Sequence, residues 1–245
     1  DAKDYRASLA NLDPVTRRQI EDGDWSAFES GRFRRESMRY YQTVDGAIVP
    51  DGGKPVTLSQ MSVFATVDPA ASAKKTADYT VIAVWGLTPA GDLLWLDCVR
   101  GQWEIPDIVP QIQAVCKRWK PAVVAIEAVM SNVAVLQLAQ RATNPMLNCL
   151  KLDPGGLDKL VRATGAMNWV NNGKLFLPCD RRDFPLDAVL GEVLSFTGDE
   201  KVDANDDIVD VLAYAVRMIL ESKITQPGVR GTVPTATGGI GPMRR

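Results

Sequence analysis

The 245-residue sequence contains no histidine. That excludes Ser-His-Asp and Cys-His nucleophile systems, histidine-bound zinc hydrolases and His-metal nuclease motifs. Its four cysteines, Cys98, Cys116, Cys149 and Cys179, lie far apart. Without a Cys-x-x-Cys pair, neither a structural zinc nor a dithiol redox site is expected. Each sits in an apolar or mixed segment and reads as a buried free thiol in a reducing cytosol. No G-x-x-x-x-G-K-S/T run is present, so no P-loop ATPase is encoded here. No apolar run reaches the roughly 18 residues of a membrane span, and the polar start Asp1-Ala2-Lys3-Asp4-Tyr5-Arg6 has no signal-peptide core. No membrane partner is therefore expected. Neither sign of charge dominates: 28 Lys and Arg face 30 Asp and Glu, a net charge of -2. This argues against a wholly basic nucleic-acid coat, but not against an enzyme that meets a phosphate backbone through metal ions and a local basic patch. Any chemistry must come from carboxylates, lysines, serines or bound metal.

The apolar fraction of 46% and charged fraction of 24% are those of a soluble globular protein. Residues 1–60 read as an extended lead-in, with a short helix from Asp13-Pro14 to Gly23 and turn-rich stretches at Asp45-Gly46 and Asp51-Gly52-Gly53. From residue 61 the pattern becomes regular. Val63–Val67, Thr80–Gly86 and Leu93–Val99 predict an antiparallel three-strand meander. Ile108, Ile112, Val115 and Trp119 share one helical face. Ala122–Ile126 reads as a buried parallel strand. A helix over Ser131–Arg141, capped by Ser131 or Asn132, is followed by a strand over Met146–Lys151 and a helix over Leu157–Asn171. Lys174–Pro178 is a short extended piece, and helices follow over Leu186–Phe196 and Asp206–Leu220. The fold class predicted is α/β, a mixed central sheet with an antiparallel meander followed by parallel strands, flanked by helices, over residues 61–222. Residues 223–245, rich in glycine and proline, read as a disordered tail carrying Arg230, Arg244 and Arg245.

Three acids stand out. Asp68 follows the first meander strand, Glu127 follows the parallel strand, and Asp210 lies within the apolar helix Ile208–Leu220. Carboxylates in such places are costly unless solvated, hydrogen-bonded or metal-bound. Around the last helix, Asp206 and Asp210 differ by about 40° and Asp207 and Asp210 by about 60°, so all three share a face. Asn205 as cap and the helix dipole account for Asp206 and partly for Asp207, but not for Asp210. Taken together, Asp68, Glu127, Asp207 and Asp210 suggest an all-oxygen site for Mg²⁺ or Mn²⁺, with two ions acting in phosphodiester cleavage and no histidine required.

A family resemblance rests on these residues and their neighbours. Val67-Asp68-Pro69-Ala70, then Lys75-Thr76-Ala77-Asp78-Tyr79-Thr80, resembles the opening of the ribonuclease H-like nuclease domain of tailed-phage large terminase subunits. Asp158–Ala163 and Asn172–Pro178 resemble its middle. Asn205–Ala215 resembles its closing helix, with Asn205 where many relatives carry His. The lead-in Leu9–Glu36, with Glu21-Asp22-Gly23-Asp24-Trp25, is similar to the segment that joins the packaging ATPase to the nuclease. The resemblance implies a ribonuclease H-like fold and a metal-dependent endonuclease that cuts concatemeric double-stranded viral DNA during genome packaging. It implies the nuclease half without its ATPase, catalytic and metal-binding roles for Asp68, Glu127, Asp207 and Asp210, and an association of Asp78 with the metal. It further implies a portal and a small terminase subunit as partners in the full-length setting. The place of action would be the host cytoplasm, transiently on the procapsid.

Lys74 and Lys75, Lys159 and Arg162, and Arg181 and Arg182 are candidate phosphate contacts. Ser72-Ala73-Lys74-Lys75 satisfies S-x-x-K, but the motifs that accompany it in serine acylases are missing. Two other readings stand beside the nuclease: a non-catalytic packaging module whose acids are structural, and a junction-resolving or hybrid-cleaving nuclease of the same fold.

Overall fold

The computed structural model describes residues 32–70, 79–129, 132–199, 202–203 and 206–227. The predicted helix at Asp13, the Ser72–Lys75 motif, Asp78, Asn205 and the tail arginines lie outside them.

Eight strands form one sheet: β1 (Arg39–Val44), β2 (Ala47–Pro50), β3 (Ser62–Asp68), β4 (Thr80–Leu87), β5 (Leu93–Gly101), β6 (Val124–Glu127), β7 (Cys149–Leu152) and β8 (Leu175–Pro178). Their order across the sheet is β2-β1-β8-β5-β4-β3-β6-β7. The β3-β4-β5 meander is antiparallel, and β6, β7 and β8 add in parallel after helical crossovers. This is the mixed sheet predicted.

Alternation along the strands builds two cores. Phe64, Val81, Ala83, Trp85, Val123 and Ala125 face one side, where α3 (Lys159–Asn171), α4 (Leu186–Ser195) and α5 (Asp207–Leu220) pack. Ala65, Val67, Ile82, Val84, Val124 and Ile126 face the other, covered by α1 (Ile105–Trp119) and α2 (Val133–Gln140). Gly165 lets α3 approach α5: a Cβ there would meet Leu220 at 3.4 Å. Among the described residues, no helix is long and apolar enough to cross a membrane.

Several expectations need correction. Residues 32–60 are built into the same body. Phe33 is buried against Phe196, and β1 pairs in parallel with β8. The β1-β2 turn places Asp45 and Gly46 both at positive φ, the conformation a tight hairpin needs. The expected boundary at residue 60 therefore separates no cores, while the short extended piece expected at Lys174–Pro178 is the sheet strand β8. The strand predicted from Met146 starts only at Cys149, because Thr143 and Met146 bridge to each other across a turn. Cys179, expected to be buried, is exposed just past β8, whereas Cys98, Cys116 and Cys149 are buried. At the other end the chain stays packed past residue 222. Ile224 is buried, and Ser62 Oγ donates to the Thr225 carbonyl.

Candidate metal centre

The parity of the strands decides where the acids point. On β3, Phe64, Thr66 and Asp68 alternate toward α5; on β6, Val123 and Ala125 do so, and Glu127 follows in step. The last β3-β6 pair is Val67 with Ile126, so Asp68 and Glu127 end neighbouring parallel strands one step later. Across the meander Asp68 pairs with Val81 and Val81 with Arg100. One row on one face of the sheet thus runs Glu127, Asp68, Val81, Arg100.

The start of α5 lies over that row. Thr66 Oγ1 donates to the Val211 carbonyl at 2.9 Å and accepts from Trp85 Nε1 at 2.8 Å, which fastens the helix to β3 in one register. Asp207 Oδ2 accepts the Tyr79 N–H at 3.1 Å. Asn132, at the start of α2, makes no side-chain cap there. Its Oδ1 accepts the Val129 N–H, and its Nδ2 donates to the Pro69 carbonyl, both at 2.9 Å. It ties the loop after Asp68 to the loop after Glu127.

Crowding marks the cluster. The Asp68 carboxyl is held well above the usual carboxylate range, first by loss of water and then by repulsion from Glu127, Asp210 and Asp207. Asp210 is pushed up to about 7 by burial, with Arg162 and Lys159 opposing and Asp206 and Glu127 adding. Each acid of the helix leans on a base. Arg162 Nη2 lies 3.3 Å from Asp210, and Arg162 Nη1 bonds the Tyr214 hydroxyl at 3.2 Å. Lys159 pairs with Asp206, and Arg100 lies 3.9 Å from Asp207.

Lys159 and Arg162, two of the candidate phosphate contacts, share a face as their spacing predicts, and that face turns in to the acids at the start of α5. Arg181 lies on the opposite face of the sheet, beside the buried Asp97 and over the Trp119 ring. Arg182 is exposed. Lys74, Lys75 and Asp78 fall outside the described residues.

Two residues escaped the sequence reading. Arg100 reaches the site only through the β4-β5 register. Glu192, on α4, is buried and pushed up to about 7, chiefly by burial. The one sequence signal for it is a lone acid in the apolar run Val189–Leu194.

Among the described residues, no three acid, His or Cys side chains converge tightly enough to hold an ion as they stand. The donor chemistry nevertheless fits one. Asp68, Glu127, Asp207 and Asp210 offer only oxygen, the choice of hard divalent cations, and the raised Asp68 and Asp210 register negative charge that a cation would relieve. Closing the set asks for Asp210 to turn from Arg162.

A family model described as the terminase RNase H-like domain matches residues 65–219. No curated protein matches the sequence. Among solved structures, the large terminase nuclease of thermophilic phage G20c is 17% identical over 74% of this chain and 92% of that one, with a TM-score of 0.47. The same nuclease with bound magnesium is 19% identical over 74% and 91%, with a TM-score of 0.48. T. thermophilus RuvC in complex with a Holliday junction substrate is 13% identical over 64% and 96%, with a TM-score of 0.36. The family match spans well over half of the chain and holds all four acids, so the chain belongs to the terminase RNase H-like domain family.

Proposed function

We propose that this chain is a divalent-metal-dependent endonuclease that cuts double-stranded DNA, in its biological setting the concatemeric viral genome during packaging. The observation that supports it is the shared face. Asp68 and Glu127 end adjacent parallel strands and point at the first turn of the helix that carries Asp207 and Asp210. Asp68, Glu127, Asp207 and Asp210 would hold the ions. When bound there, two divalent ions would supply an activated water and stabilisation of the leaving oxygen of a phosphodiester.

The protein's own part is placement and charge. Fixed strand ends hold Asp68 and Glu127, and Thr66 fixes α5 above them. Arg162 and Lys159 neutralise Asp210 and Asp206 while no substrate is present, and from there they could take up a phosphate.

Nicking of supercoiled plasmid tests the reading. Cleavage is expected with Mn²⁺ or Mg²⁺ and none in EDTA. Asp68→Asn and Glu127→Gln should each lose at least about 1,000-fold, in line with the loss of a group acting directly on the reaction. Strong cutting in EDTA, or a wild-type rate in either variant, overturns it. Branched and RNA–DNA hybrid substrates run alongside distinguish a resolvase or hybrid nuclease from a duplex cutter.

A further inference from the structure

Asp206, at the N-cap of helix α5, makes no side-chain cap bond. Among the described residues, a capping bond comes from another helix. Glu192 Oε1 accepts the Ile208 N–H at 2.5 Å, which satisfies one of the donors that a helix start leaves open. Arg100 then joins this cap to the site. Its Nη2 lies 3.4 Å from Glu192 Oε2 and 3.9 Å from Asp207 Oδ2. Its guanidinium stacks 3.9 Å over the Tyr79 ring, and the Tyr79 N–H holds Asp207.

Packing gives no reason for an acid at position 192. Glu192 is 8% exposed in an apolar stretch, where a leucine would cost nothing to bury. Its value lies in orientation. One residue of slip at the start of α5 rotates every later side chain by about 100°, enough to carry Asp207 and Asp210 off the face shared with Asp68 and Glu127.

We infer that Glu192, bridged by Arg100, is a positioning residue that sets the rotation of α5 and so the aim of Asp207 and Asp210. The inference rests on the metal-site reading above. Partners behind ligating carboxylates typically govern affinity by about 10–100-fold.

The test is Mn²⁺ binding by titration calorimetry, with amide hydrogen exchange at Ile208 and Val209 in the ion-free protein. Glu192→Ala should keep its circular dichroism, bind Mn²⁺ at least about tenfold more weakly, and exchange faster at both amides. Glu192→Gln, which keeps an acceptor for the Ile208 N–H, should recover most of both. A folded Glu192→Ala that binds like wild type overturns the inference, as does unchanged exchange. If Glu192→Ala does not fold, Arg100→Met takes its place; weaker Mn²⁺ binding supports the bridge and unchanged binding overturns it. If wild type binds no Mn²⁺, the metal reading falls on its own, and exchange at Ile208 still decides whether Glu192 holds the helix start.

Discussion

Asp210 lies near the midpoint of its own titration at neutral pH, since burial lifts it from 3.8 to about 7. The folded state therefore prefers the protonated form more than the unfolded chain does. Its contribution to stability is complete below about pH 4 and is lost as pH rises through about 7. Asp183, held low by its hydrogen bond to Arg181, runs the other way and contributes above its unfolded value. Whole-protein pH profiles mix the two directions, so a difference is the useful measurement. In EDTA, the urea midpoint of wild type relative to Asp210→Asn should fall between pH 5 and pH 8; parallel profiles would show that Asp210 is not crowded. Millimolar Mn²⁺ should reverse the fall at pH 8. Arg162 supplies the opposite case. Replacing it with Met leaves Asp210 without its closest cation, so the metal-free protein should melt lower at pH 8 and gain more from Mn²⁺ than wild type, as thermal denaturation would read.

Helix α5 shows what element-level reasoning reaches and where it stops. Fastened at Thr66, the helix should be sensitive there. Thr66→Val removes the tether to the Val211 carbonyl and leaves the buried Trp85 indole N–H without its acceptor, costing about 1–3 kcal/mol in chemical denaturation and dropping cleavage less than any change to the acids. Asp206→Ala should cost roughly 0.3–1 kcal/mol through the helix dipole and should leave cleavage largely intact. The helix and its acids were legible because Asp210 breaks an apolar period and no cap or dipole explains it. Asp68 and Glu127 were legible because each closes a strand of buried residues. Arg100 and Glu192 were not, since one depends on the register between β4 and β5 and the other on how α4 meets α5. Lys159 and Arg162 were legible in part: helical spacing puts them on one face but does not say that the face looks at α5.

At the scale of the whole molecule, a net charge of -2 leaves little general attraction for DNA. Binding to a duplex should be weak, indifferent to sequence and steeply weakened by salt, with a small number of released counterions, measurable by fluorescence anisotropy between 50 and 200 mM salt. The charge-reversed pair at Lys74 and Lys75 should weaken it further while leaving Mn²⁺ affinity unchanged; unaltered binding at low salt would move the DNA path to another face. The edge of the sheet has a temporal meaning as well. β1 leans on a strand far along the chain: the Thr43 N–H bonds Asp180, 137 residues away, and β1 meets β8 in parallel. Such a contact pays for closing a long loop before it returns anything, so it belongs to the late, slow part of folding. A ribosome must deliver the chain through Pro178 before β1, paired locally with β2, finds its second neighbour. Until then the β8-facing edge of β1 lies open, and the nascent protein should be most prone to aggregate in that interval, with the β1-β2 hairpin the last piece to gain protection in pulse-labelled refolding.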